Sequence, residues 1–159
     1  MSRGFIESNL NAGGEEWRNN PLCQTYLPYV QGSGEEPENE LMNKIMRTTG
    51  GEKMISLWTL LLGPLYYVYR KCYKQAALYF LAGVLAAVIP FGTGALQIVA
   101  ALLFYKIYVK QLDEWIAADK DPAEAGGTNM KLTIIIAAAF AVVAIVIYVG
   151  FLSLYTLFL

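Results

Sequence analysis

Charged side chains vanish from two long stretches of this chain. Residues 75–105 and 132–159 contain no Asp, Glu, Lys or Arg, and a shorter uncharged run covers 54–69. Between and before them the chain is polar. The first 53 residues are broken by Gly13-Gly14, Pro21, Pro28, Gly32 and Gly34 and carry the acidic run Glu35, Glu36, Glu38 and Glu40. Such a segment is expected to be mostly irregular. The exception is a short helix over about Glu38–Arg47, whose apolar side would be Leu41, Met42, Ile45 and Met46.

The run at 54–69 is shorter than the ~20 apolar residues a spanning helix needs, and Gly63-Pro64 sits in its middle. Proline lacks an N–H and disfavours helix at the residue before it. The segment 54–74 therefore reads as two short helical pieces, re-entrant or interfacial. Within 75–105, Pro90-Phe91-Gly92-Thr93-Gly94 is a tight-turn signal. It predicts a helical hairpin, Gln75–Ile89 and Ala95–Leu112, extending to about residue 116, with each arm slightly short for a full span. Residues 117–130 form a polar linker, where Thr128 or Asn129 can cap the next helix. Residues 131–159 predict one long helix. At 1.5 Å per residue its uncharged part reaches about 42 Å, against a hydrocarbon core of about 30 Å. The fold class is an all-α membrane protein: polar N-terminal segment, interfacial or re-entrant segment, hairpin, long C-terminal transmembrane helix.

Charge placement suggests an orientation. None of the twelve Lys and Arg residues lies at 90–94 or after Lys131. If 54–69 dips and returns, all twelve face one compartment, which the positive-inside rule makes the cytoplasm. The expectation is then a multi-pass protein with three spans, a cytoplasmic N-terminus and a C-terminus on the opposite side. If 54–69 spans instead, Arg70, Lys71 and Lys74 move across. No cleavable signal sequence is expected, since the first apolar run starts near Met54.

Composition narrows the chemistry. The 159 residues are 56% hydrophobic and 16% charged, with a formal net charge of −1. That balance argues against a nucleic-acid partner. Histidine is absent, which removes the commonest general base and metal ligand. Cys23 and Cys72 have no metal-site spacing, and reduced thiols are expected on a cytoplasmic face. Glu15-Glu16 and Glu35-x-x-Glu38 read as solvated acidic faces. No nucleotide loop or nucleophile elbow is present. No catalytic residue, cofactor or metal site is therefore expected.

The residues that stand out are Trp58-x4-Gly63-Pro64-x-Tyr66-Tyr67-x-Tyr69-Arg70-Lys71-x-Tyr73. At i, i+3, i+4, i+7 spacing, Tyr66, Tyr69, Arg70 and Tyr73 would share one helix face. Two readings apply to Trp58, Tyr66, Tyr69, Arg70, Lys71 and Tyr73: an anionic-lipid or headgroup site, or an aromatic belt with snorkelling cations that sets depth. This motif resembles the signature of an uncharacterised family of small bacterial inner-membrane proteins. The resemblance covers roughly residues 41–116 and implies a bacterial cytoplasmic membrane, with no assigned activity. The chain departs from that pattern at Cys72, where Met is common, and in its first 40 residues and last helix.

Gln97 is the sole strongly polar side chain between residues 76 and 105. It would either bond a neighbouring helix or line a pore. Small residues recur at packing spacing: Gly83 with Ala87, and Ala137, Ala141 and Ala144. Phe151, Tyr155 and Phe158 are expected to be covered by a partner near the far face. Taken together, the sequence suggests a non-catalytic membrane subunit that docks among other membrane protein subunits. The alternative is a homo-oligomeric pore or membrane-perturbing protein.

Overall fold

The computed structural model describes residues 21–34 and 39–157, and among them the chain is helical with no strand. The glycine pair and acidic pair at 13–16, and Glu35, Glu36 and Glu38, lie outside the described residues. The elements are α1 (Cys23–Gln31), α2 (Asn39–Thr49), α3 (Leu57–Leu62), α4 (Pro64–Tyr69), α5 (Tyr73–Ala86), α6 (Gly92–Ala117), the single turn α7 (Pro122–Ala125) and α8 (Met130–Leu157).

Among its described residues the polar N-terminal segment holds two helices where one was expected. Helix α2 forms where expected and buries Leu41, Met42, Ile45 and Met46 against α6. Helix α1 was not anticipated, and it contains Pro28. Long-range polar contacts hold it. The Tyr26 hydroxyl donates to Asp113 at 2.6 Å, the Tyr29 hydroxyl donates to the Lys120 carbonyl at 3.0 Å, and the Gly127 N–H donates to the Tyr29 carbonyl at 2.9 Å. Together α1, α2, α4 and α6 enclose one core in which Tyr66, Tyr67, Phe104, Tyr108, Leu112 and Trp115 are buried.

The Gly63-Pro64 break divides α3 from α4. Gly63 sits at φ 55°, ψ −132°, a conformation suited to a residue without Cβ. Ser56 caps α3 by accepting from the Thr59 N–H at 3.1 Å. The Ser56 N–H donates to the Ala101 carbonyl at 3.0 Å, and the Tyr67 hydroxyl donates to the Ala100 carbonyl at 3.2 Å. These two bonds fasten α3 and α4 to one level of α6.

Beyond that level the surface turns apolar. Leu78, Leu81, Val84 and Leu85 on α5, and Ile98, Val99, Leu102 and Leu103 on α6, are exposed. The hairpin turns where the Pro-Gly cluster suggested. A Cβ on Gly92 would meet the Ala86 carbonyl oxygen at 2.3 Å, so only glycine fits the close approach. Helices α6 and α8 are each long and apolar enough to cross a membrane. Helix α5, with 14 residues and about 21 Å of length, is shorter than such a crossing. Every residue of α8 from Ala138 to Gly150 is exposed, and Phe140 stacks on Phe80 of α5 with centroids 4.9 Å apart.

Candidate functional site

The motif's tyrosines and arginine meet at the end of α4. Helix α4 stops because Lys71 takes a left-handed conformation, φ 58°. The Cys72 N–H then donates to the Tyr67 carbonyl at 2.8 Å and the Lys71 N–H to the Val68 carbonyl at 3.0 Å. That bond pair is the Schellman C-cap, here with lysine where glycine is usual. The cap corrects the expectation of one continuous helix face. Tyr66, Tyr69 and Arg70 stay together, while Tyr73 opens α5 and points elsewhere.

Arg70 is surrounded by rings. Its guanidinium carbon lies 5.8 Å from the Tyr66 centroid and 5.3 Å from that of Tyr69, within cation–π range. Tyr66 packs in turn on Phe104, centroids 4.8 Å apart, and Phe104 also contacts Tyr67, Tyr105 and Tyr108. Beside Arg70 opens a cavity of about 500 Å³. Its walls come from α2 (Glu40, Leu41, Lys44), α3 (Leu57, Trp58, Leu61, Leu62), α4 and its cap (Tyr66, Tyr69, Arg70), α6 (Tyr105) and the base of α8 (Met130, Thr133).

Four of the six motif residues singled out by sequence therefore line one cavity: Trp58, Tyr66, Tyr69 and Arg70. The other two tie the linker down. Lys71 Nζ donates to the Glu124 carbonyl at 2.8 Å, and the Tyr73 hydroxyl accepts from Asn129 Nδ2 at 2.8 Å. Asn129 also donates its backbone N–H to the Tyr69 carbonyl and caps α8 by accepting from the Leu132 N–H at 3.0 Å. One asparagine thus joins α4, α5 and α8.

No match to this chain was found among protein families, curated proteins or solved structures.

The remaining sequence-selected residues fall as follows. Gln97 Nε2 donates to the Leu60 carbonyl at the α3–α4 break. Gly83 is half-buried and Ala87 exposed at the end of α5. Ala137 is half-buried, while Ala141 and Ala144 are exposed on α8. Phe151 and Tyr155 belong to α8, but their side chains lie outside the described residues, as does Phe158 entirely. Cys23 and Cys72 are both buried thiols. Among the described residues, no three Cys, Asp or Glu side chains converge as a metal site would require.

Sequence reasoning missed the cavity wall contributed by Lys44, Glu40, Tyr105 and Thr133. The Glu40–Lys44 spacing, i to i+4 on a helix, was a usable signal, and the two side chains do pair. Tyr105 and Thr133 carried no local signal.

Proposed function

We propose that this chain is a non-catalytic subunit of the bacterial cytoplasmic membrane that docks in a larger membrane protein assembly and stabilises it. Its N-terminal helical core lies on the cytoplasmic side, and α8 is directed to the opposite side. The bacterial setting rests on the Trp58–Tyr73 motif and its resemblance to small bacterial membrane proteins.

The observation that carries the reading is α8. From Ala138 to Gly150 every residue of this helix is exposed, with Phe140 resting on Phe80 of α5. Thirteen exposed residues correspond to about 20 Å of bare apolar helix. Lipid can cover such a surface, but the placement of Ala141 and Ala144 on one face favours close approach by another helix. The helix has 28 residues, about 42 Å, so it overruns the ~30 Å hydrocarbon core. A partner that extends past the bilayer would cover the excess.

The second reading, a homo-oligomeric pore, draws on the broken α3–α4 segment, since interrupted helices often line cavities. Gln97 weighs against it. Its amide is engaged by the Leu60 carbonyl and leaves no strongly polar side chain on the hairpin between residues 76 and 105 to line a channel.

The test is the composition of the native particle in mild detergent, compared between wild type and Ala141→Trp/Ala144→Trp. Docking requires a fixed stoichiometry with a different membrane protein, lost in the double variant while membrane insertion persists. A particle containing only copies of this chain would replace it with the pore reading. Monomers in both samples would leave α8 a lipid-facing anchor and defeat both.

A further inference from the structure

The cavity beside α4 holds an imbalance of charge. Three charged side chains line it: Arg70, Lys44 and Glu40. Lys44 and Glu40 pair with each other, and the lysine side chain is almost wholly buried. Among the described residues one positive charge is left over, on Arg70. Its Nε atom is buried with no hydrogen-bond partner, and no carboxylate among the described residues forms an ion pair with it. The tyrosines around it supply ring quadrupoles and, from Tyr66 and Tyr108, hydroxyl contacts, but no anion. A half-buried guanidinium with a buried, unpartnered N–H is stabilised when an acceptor with negative charge faces it.

The rest of the cavity indicates how that acceptor arrives. Leu57, Leu61 and Leu62 line it and also belong to the exposed apolar surface of α3, where Leu61 is 72% exposed. The guanidinium is thus reached along an apolar path that is continuous with the outer face of the protein. The volume, about 500 Å³, lies within the range of small-ligand pockets. It suits a headgroup with the start of a chain.

We infer that this cavity binds a singly charged phosphate group, presented by an anionic lipid whose chains lie along α3, with Arg70 as the anion-binding residue. The inference rests on the membrane placement proposed above. A net lining charge of +1 matches a phosphodiester, and the guanidinium fork matches its two free oxygens. A headgroup that adds a quaternary ammonium brings a second positive charge to a site already positive, so anionic lipids bind better than zwitterionic ones.

The test uses the full-length chain. Lipid retention is read by native mass spectrometry after exchange into detergent containing phosphatidylglycerol or phosphatidylcholine. Thermal unfolding is followed in phosphatidylcholine vesicles with and without phosphatidylglycerol, and with inorganic phosphate alone. Wild type should retain phosphatidylglycerol preferentially and unfold at higher temperature in its presence. Arg70→Gln should reduce that preference at least about tenfold, as expected for one charge-assisted contact. Arg70→Lys should fall between them, keeping charge but losing the fork.

A measurement on the exposed Trp58 guards against misfolding of the Arg70 variants. Brominated phosphatidylglycerol should quench wild-type fluorescence more than brominated phosphatidylcholine, and Trp58→Phe should abolish the difference. Stabilisation by inorganic phosphate alone, dependent on Arg70 and without lipid preference, would keep the site but make its ligand a soluble phosphate. Equal retention of both lipids with no phosphate effect, or a preference that survives in Arg70→Gln, overturns the assignment. Complete release of the protein from membranes by alkaline carbonate would defeat the membrane placement separately, leaving the phosphate arm to decide the cavity.

Discussion

The depth of the α5–α6 hairpin is set by simple lengths. Helix α5 has 14 residues, about 21 Å. The part of α6 that shows an exposed face runs from Gly92 to Leu103, about 18 Å, with Ala100 and Ala101 buried on its inner side, before Phe104 enters the core. A hydrocarbon core of about 30 Å therefore extends about 10 Å beyond the tip. The tip itself is apolar, with Val88, Ile89 and Phe91 exposed, the last at 93%. Each such side chain gains about 1.5–3 kcal/mol on leaving water, so a tip held in lipid is favoured by several kcal/mol over one held in an aqueous loop. The hairpin is predicted to end inside the bilayer, leaving α8 as the helix that crosses. In an otherwise cysteine-free background, Phe91→Cys should resist a membrane-impermeant maleimide applied from either side, while a cysteine at exposed Asp119 should label. Phe91→Asp should destabilise by about 2.5–3.5 kcal/mol, the cost of a carboxylate at depth. Rapid labelling of position 91 from the far side, with Phe91→Asp as stable as wild type, would refute the length argument and restore a spanning hairpin. A reporter on the C-terminus cannot make this distinction, because a hairpin contributes either two crossings or none.

Phe104 is fully buried and touches four tyrosine rings, so Phe104→Ala should cost about 3–5 kcal/mol and lower the thermal midpoint by roughly 6–20 °C in detergent; a shift under 3 °C would mean that the aromatic cluster is not a cooperative core. Lys71→Gly and Lys71→Ala both lose the bond to the Glu124 carbonyl, but only glycine relieves the left-handed strain, so chemical denaturation should rank the glycine variant about 1 kcal/mol above the alanine variant. Tyr26 donates to Asp113 while it is protonated, and its pKa is pushed up to about 12, first by burial and then by that hydrogen bond and the carboxylate charge. A raised folded-state pKa means the stabilisation is complete below pH ~10 and lost as pH rises through about 12; the stability gap between wild type and Tyr26→Phe should close across that window, and a gap independent of pH would contradict it.

What could be read from the sequence was whatever local chemistry dictates. Pro64 has no N–H, the Pro-Gly cluster at 90–94 turns the chain, and Asn129 caps α8; each follows from residues within a few positions of one another. The misreadings share a different cause. Along α6 the covering changes from place to place: beyond Leu103 the helix buries Phe104, Tyr108, Leu112 and Trp115 in the protein core while carrying Lys106, Lys110, Asp113 and Glu114, and which apolar positions meet protein rather than lipid depends on distant elements. Helix α1 was passed over because Pro28 argues against a helix, and what holds it, Asp113 and the Lys120 carbonyl, lies far along the chain. The cap at Lys71 went unseen because a left-handed lysine carries no glycine to announce it. The cavity was half legible: Arg70 and its aromatic neighbours formed a motif, whereas Lys44, Tyr105 and Thr133 reach it only through the packing of α2, α6 and α8.

Gln97 lies between these cases, and its role follows from one proline. In a continuous helix the Leu60 carbonyl would accept from the N–H four residues on, but residue 64 is proline and has none to give. The carbonyl sits at the break between α3 and α4, in the segment fastened against α6, and Gln97 of α6 supplies the missing donor. A lone amide in an apolar arm is thus matched to a lone acceptor in a proline-broken one. Replacing Gln97 by Leu leaves that carbonyl unpaired and should cost about 1–3 kcal/mol if the break is shielded from water. Gln97→Glu should be worse than Gln97→Leu at neutral pH, because an ionised carboxylate offers only acceptors to another acceptor. Thr93→Leu, one helical turn earlier on the same arm, should have little effect. Thermal unfolding in detergent gives the ranking directly. If Gln97→Leu matched wild type, water would already be satisfying Leu60, the α3–α4 break would lie at the aqueous boundary, and the amide would have to be reconsidered as a group free to face a channel.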